Sequence, residues 1–152
     1  MICKAIIAAA LLVFGLAGTA HALDTTINLD NFKAQVLPEE HSYEEAQLCA
    51  SIVYMNKMIN DGRSPDSRNY ENLVQQTKVG WAIWMPRALD RYNQATGESL
   101  TQDDYIEKVV KPNGTTLYNQ WDDGTIPGAT LYFFDKYCLD HMADVTVMTA
   151  PN

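Results

Sequence analysis

The sequence predicts an all-α fold: a small bundle of four to six helices, one kinked near Pro86, braced by one disulfide. Three observations predict it. Beyond residue 42, apolar residues recur at spacings of three and four, which places them on one face of a helix. Helix starts and stops punctuate the same stretch: Ser42-x-x-Glu45 and Thr101-x-x-Asp104 at beginnings, Gly62 and Gly97 at ends. Finally, Cys49 and Cys138 each fall in the middle of an apolar stripe, the first long one and the last.

Residues 1 to 22, MICKAIIAAALLVFGLAGTAHA, combine a positive start at Lys4, an apolar run from Ala5 to Leu16 and an Ala20-His21-Ala22 cleavage pattern. This is the layout of a secretory signal peptide. The apolar run is shorter than the ~20 residues that span a bilayer. The expected organisation is therefore a signal peptide over residues 1–22 and a single helical domain over residues 23–152, located in the periplasm or secreted. Removal of the signal takes Cys3 with it and leaves Cys49 and Cys138 as a pair in an oxidising compartment, where one disulfide is the simplest outcome. It closes a loop of about 90 residues, and loop-closure entropy puts its contribution near ~4 to 5 kcal/mol.

Leu23 to Pro38 is the least patterned stretch. Ile27 and Leu29 alternate with polar residues and suggest an extended segment, with Asp30 as cap of a short helix holding Phe32, Val36 and Leu37. Ser42 to Gly62 is the clearest helix, with Glu44 and Glu45 in its first turn and Gly62 expected in the left-handed conformation at its end. From Tyr70 the apolar series Leu73, Val74, Thr77, Trp81, Trp84, Met85, Ala88, Leu89 and Tyr92 holds a helical period until Gly97. Pro86 interrupts it, because proline donates no hydrogen bond and clashes with the carbonyl four residues earlier. The expectation is one kinked rod or two meeting helices. Thr101 opens a further helix, which Pro112-Asn113-Gly114 is expected to end. Thr115 to Trp121 follows as a turn or two, and Asp122 to Gly128 as a loop. The last helix is expected from about Ala129 to Ala143, with Leu131, Phe134, Cys138 and Met142 on one stripe. Val145 to Met148 alternates, which allows a short β pairing with Ile27 and Leu29.

The formal net charge of −8 becomes more negative once Lys4 leaves with the signal. A nucleic-acid binder needs an excess of Lys and Arg, so this balance argues against that class and against anionic membrane surfaces. Membrane insertion is not expected after the signal is removed. A protein partner, basic by complementarity, is expected instead.

The histidines outside the signal are His41, in a loop after Glu39-Glu40, and His141, near the end of the last helix. Neither has metal-ligand spacing, and no cofactor, metal or catalytic residue is assigned. The acidic pairs Asp122-Asp123 and Asp103-Asp104 lack the alternation of a calcium loop. The aromatic residues carry the clearest candidate for recognition. Trp81 and Trp84 lie three apart beside Pro86, and Trp121 precedes Asp122 and Asp123 in the loop. Each is either core or part of a partner-binding surface, where tryptophan is enriched. In outline (exported, acidic, helical, one disulfide, no catalytic motif) the chain is similar to helical periplasmic immunity proteins that neutralise secreted toxins. That likeness is of general outline and implies no site residue. Two other readings carry different expectations: a small envelope enzyme or metal- or haem-binding protein using His41 or His141, and an envelope stress chaperone.

Overall fold

The computed structural model describes residues 22–142. The expected signal peptide and the Val145–Met148 half of the expected β pairing lie outside the described residues. Within them the fold is all-α, with no strand. A segment without regular structure over residues 22–28 leads into α1 (Leu29–Lys33). The long helices α2 (Tyr43–Asp61) and α3 (Tyr70–Thr96) follow. A continuous helical stretch then comprises α4 (Gln102–Tyr105), a π-helical segment (Ile106–Val110) and α5 (Lys111–Asp122), and α6 (Gly128–Asp140) completes the bundle.

Helix α2 is the centre. Ala46, Cys49, Ala50, Ser51 and Ile52 are fully buried, which leaves α2 covered on nearly every side through its middle. Helices α3 and α5 come close to it because each presents a glycine. A Cβ on Gly80 of α3 would meet Val53 Cγ2 at 2.8 Å, and one on Gly114 of α5 would meet Tyr54 Cδ1 at 2.7 Å and the Ser51 carbonyl at 3.0 Å. The helix-breaking sense of Gly114 is thus overridden by packing, at a propensity cost of about 1 kcal/mol relative to alanine. Pro112 does not end the helix either. The Lys111 amide bonds to the Ile106 carbonyl, five residues back, so the ladder is already widened where proline supplies no donor.

Helix α3 runs unbroken through Pro86, which lies on its exposed side, so a single helix occupies the whole segment. It ends at Gly97 in the left-handed conformation (φ 73°), whose amide bonds to the Asn93 carbonyl. Gly62 differs from expectation: its φ is −87° and the amide closes onto the Asn60 and Met58 carbonyls.

The N-terminal part needs a larger correction. Asn28, not Asp30, caps α1 by accepting from the Asp30 and Asn31 amides. Leu29 is helical and Ile27 pairs with a side chain, so neither contributes a strand. Helix α1 stops at Lys33 because Gln35 turns left-handed (φ 57°). The Val36 amide then bonds to the Asn31 carbonyl and the Gln35 amide to that of Phe32, the double closure that ends a helix. Val36 and Leu37 therefore lie beyond the helix and are exposed.

Cys49 and Cys138 form the disulfide, with Cα atoms 5.5 Å apart and a sequence separation of 89. It joins α2 to α6 inside the core. Phe134, one turn earlier on α6, stacks on Phe32 of α1 with ring centres 4.3 Å apart.

Candidate functional site

A groove of about 490 Å³ lies between the N-terminal segment, α1 and the first turns of α2. Two buried amides build it. The Asn113 Nδ2 donates to the Thr25 carbonyl at 2.6 Å, and its Oδ1 accepts from the Ile27 amide at 3.1 Å. Gln47 of α2 also donates to the Thr25 carbonyl. These bonds hold residues 24 to 27 against α2 and α5 as one wall. The opposite lip is the stretch from Val36 to Glu39, set by the left-handed turn at Gln35. Phe32, Leu48 and Phe134 form the floor.

The chemistry of the groove is one-sided. Asp24, Glu39 and Glu44 border it, and among the described residues no lysine, arginine or histidine does. Val36 is 53% exposed and Leu37 39%, and both line the groove. An apolar floor with anionic edges suits a cationic side chain whose aliphatic stem can lie on the floor.

A buried charge network stands behind the Glu39 to Ser42 loop. Glu45 is 1% exposed, yet its carboxylate accepts from the His41 amide at 2.7 Å, Arg91 Nη1 at 3.1 Å and the Tyr137 hydroxyl at 2.8 Å. Burial alone would raise its pKa, but the Tyr137 hydroxyl, Arg91 and the His41 amide together hold it below the usual carboxylate range. Arg91 also donates to the Ser42 carbonyl at 2.6 Å. Ser42 caps α2 through the Glu45 amide as the sequence indicates, while the reciprocal bond from Glu45 goes to the His41 amide, one residue earlier than a capping box places it. This network fixes the loop that carries Glu39 and so steadies one end of the groove.

The sequence-derived candidates are dispersed. Trp84 is fully buried, and its indole N–H donates to the Cys138 carbonyl at 3.3 Å; it is a core residue with no surface to offer a partner. Trp81 is half-buried against Tyr54, with ring centres 6.1 Å apart. Trp121 is half-buried edge-on to Tyr118 at 5.9 Å. No ring contact joins Trp81 to Trp121 among the described residues. Asp122 and Asp123 are exposed, and Asp123 accepts from the Thr125 amide at 2.8 Å, a turn contact. His41 is exposed with φ 63°. The His141 ring lies on Tyr137 at 4.0 Å, with Nδ1 2.8 Å from the Tyr137 carbonyl and Nε2 3.5 Å from Glu40 Oε1. Neither histidine borders the groove. Among the described residues no three His, Cys, Asp or Glu side chains are placed to hold a metal ion, and no helix is long and apolar enough to cross a membrane.

Sequence reasoning missed the groove because its walls come from residues 24 to 39, which carry no periodic pattern. The one usable signal is the adjacency of Val36, Leu37 and Pro38 to Glu39 and Glu40, an apolar step beside an acidic one. Comparison of the chain with protein-family models, curated proteins and solved structures returns no match.

Proposed function

We infer that this is an exported, non-enzymatic binding protein that holds another protein through the groove, in the manner of an inhibitor or immunity protein. The partner presents a basic segment with an apolar residue beside its Lys or Arg. The observation that carries the reading is the groove's composition: three carboxylates, two exposed aliphatic side chains and, among the described residues, no cation around a space of about 490 Å³. Export is supported by the signal-like residues 1–22 and by the buried Cys49–Cys138 disulfide, a bond that persists in oxidising compartments.

The test is partner capture from native envelope extract, with mass-spectrometric identification, using the wild type, Leu37→Asp, Glu44→Lys and, as a control far along the chain, Tyr132→Asp. Tyr132 is 68% exposed and does not line the groove. The expected result is a basic protein retained by the wild type and Y132D and lost by L37D and E44K, with all four equally helical. Retention by every variant, or a captured partner without a basic surface, would count against the reading.

A further inference from the structure

A second cavity, of about 90 Å³, lies between the C-terminal half of α2, the N-terminal half of α3 and α6, and shares no residue with the groove. Its apolar walls include Ile59, Leu73 and Leu139; Arg63 and Gln76 of its lining are exposed, and its less exposed polar groups are Asn56, Asn60, Thr77 and Asp135. Asp135 of α6 accepts at Oδ1 from Asn56 Nδ2 at 2.7 Å. Among the described residues no lysine, arginine or histidine forms an ion pair with it. The Asn60 and Thr77 donors beside it are already used. Asn60 Nδ2 donates to Thr77 Oγ1 at 2.9 Å and to the Leu73 carbonyl at 3.3 Å, and Thr77 Oγ1 donates to the same carbonyl at 2.9 Å. That leaves Asn60 Oδ1 with no protein donor among the described residues.

The cavity therefore offers a half-buried carboxylate and a spare amide oxygen beside apolar walls, with Arg63 and Gln76 as exposed members of its lining. What completes it is a small group with positive charge, several N–H donors and a short apolar stem. We propose that this cavity binds a primary ammonium group, from a lysine side chain or a small alkylamine, with Asp135 as its counter-charge. The volume matches that class: about three waters fill the same space at roughly 30 Å³ each, as does an ammonium group with a few methylenes. Residues 143–152 contain no lysine or arginine. Arg63 is the other charged residue of the wall, is exposed, and opposes an entering cation. Burial, offset only by the Asn56 amide, pushes the Asp135 carboxyl up, consistent with an anion that lacks its cation.

The test is an NMR titration of the full exported chain, disulfide intact, at neutral pH. The probes are n-butylamine, tetramethylammonium (charge without N–H donors) and n-butanol (stem without charge). The expected result is saturable shifts of the Asn56 and Asn60 side-chain amides with butylamine alone. Asp135→Asn weakens binding about tenfold or more, and Arg63→Ala tightens it. Asp135→Asn keeps an acceptor for Asn56 and removes a desolvated charge, so it folds. As an independent reading, wild-type binding of butylamine falls as pH is lowered and Asp135 takes a proton. Nα-acetyl-lysine methylamide separates the sources: tighter binding than butylamine assigns a protein lysine, weaker binding a free amine, and either order supports the site. Equal shifts with tetramethylammonium, no saturation, or unchanged binding by D135N would overturn it. A failure here leaves the groove reading untouched, because no residue is common to both.

Discussion

Replacing Glu45 with glutamine removes one negative charge from a side chain that is 1% exposed and surrounded by three donors. Glutamine retains one oxygen, which can still accept from the His41 amide and Arg91, and the Tyr137 hydroxyl can rotate to accept from the new amide. What cannot be rebuilt is the counter-charge for Arg91, whose side chain is 17% exposed. Breaking a buried ion pair by removing one partner costs about 3 to 5 kcal/mol. Partial hydration of Arg91 and the retained acceptor reduce this to about 2 to 3 kcal/mol. At about 4 °C per kcal/mol for a domain of this size, E45Q should melt ~8 to 12 °C lower.

The assay is urea unfolding of wild type, E45Q, Arg91→Met and the double variant, followed by circular dichroism. Removing both charges should cost less than the two single costs combined, by about 1 to 2 kcal/mol. The sign of the pH dependence follows from the lowered pKa of Glu45. Its stabilisation is fully present above the ordinary value near 4.5 and is lost as pH falls through the lower folded value, so wild type and E45Q should converge only once pH has fallen below that folded value. An E45Q variant within ~0.5 kcal/mol of wild type at neutral pH, or strictly additive single costs, would refute the argument that the network holds the loop.

His141 gives the opposite sign. Burial works against its charge, but the Tyr137 carbonyl and the Glu40 and Glu45 carboxylates raise its pKa above the ordinary 6.5. Its contribution is present below that value and is lost as pH rises through the folded pKa. Because Glu40 is 66% exposed, the effect stays below about 1 kcal/mol. His141→Gln should flatten this shallow decline in unfolding measured from pH 6 to 8. The two close-approach glycines should differ in cost. Gly114→Ala drives a Cβ against the Ser51 carbonyl at 3.0 Å as well as the Tyr54 side chain, and backbone cannot step aside; Gly80→Ala meets the Val53 side chain at 2.8 Å. Overpacking costs about 1 to 3 kcal/mol, so thermal unfolding should place G114A below G80A. The reverse order would mean that α5, not α3, has room to shift.

The long helices were legible because their apolar spacing and their caps agree. Ser42, Thr101 and Gly97 all act as their positions suggest. The disulfide was legible because two cysteines fell on stripes that had to face each other. The errors share a cause: a local signal overruled by a tertiary contact. Pro112 and Gly114 read as a stop, yet the widened π-helical turn absorbs the proline and Tyr54 fills the space above the glycine. Gln35 gave no sign that it would take the left-handed conformation usually left to glycine, so Val36 and Leu37 were assigned to a helix they do not join. Asn113 looked like a turn residue and is instead a buried clamp on residues 25 and 27. The groove depends on Gln35 and Asn113, which is why periodicity could not show where it lies. Asp135 was equally hidden, since one aspartate among the three charged residues of α6 carries no mark of burial.

Both concavities are seated on one seam between α2 and α6. Phe134 forms part of the groove floor, Asp135 and Cys138 line the smaller cavity, and Cys138 is bonded to Cys49 between them. On the α2 side, Leu48 borders the groove and Val53 the cavity, on either side of Cys49 in sequence. Substituting both cysteines with alanine releases a loop spanning 89 residues and should cost about 3 to 5 kcal/mol in urea unfolding. The loss should also be felt unequally within the native state. Helix α6 has other ties to the bundle, including the Phe32–Phe134 stack at 4.3 Å, the Tyr137–Glu45 bond at 2.8 Å and the Asn56–Asp135 bond at 2.7 Å. These hold α6 docked, and the disulfide adds a covalent tie at the middle of the seam. Native-state hydrogen exchange should therefore show α6 opening at lower free energy than α3 in the double variant, and at the same free energy in wild type. Uniform loss of protection across all the helices would mean that the link acts on the unfolded chain alone, and that the seam is held by its apolar contacts.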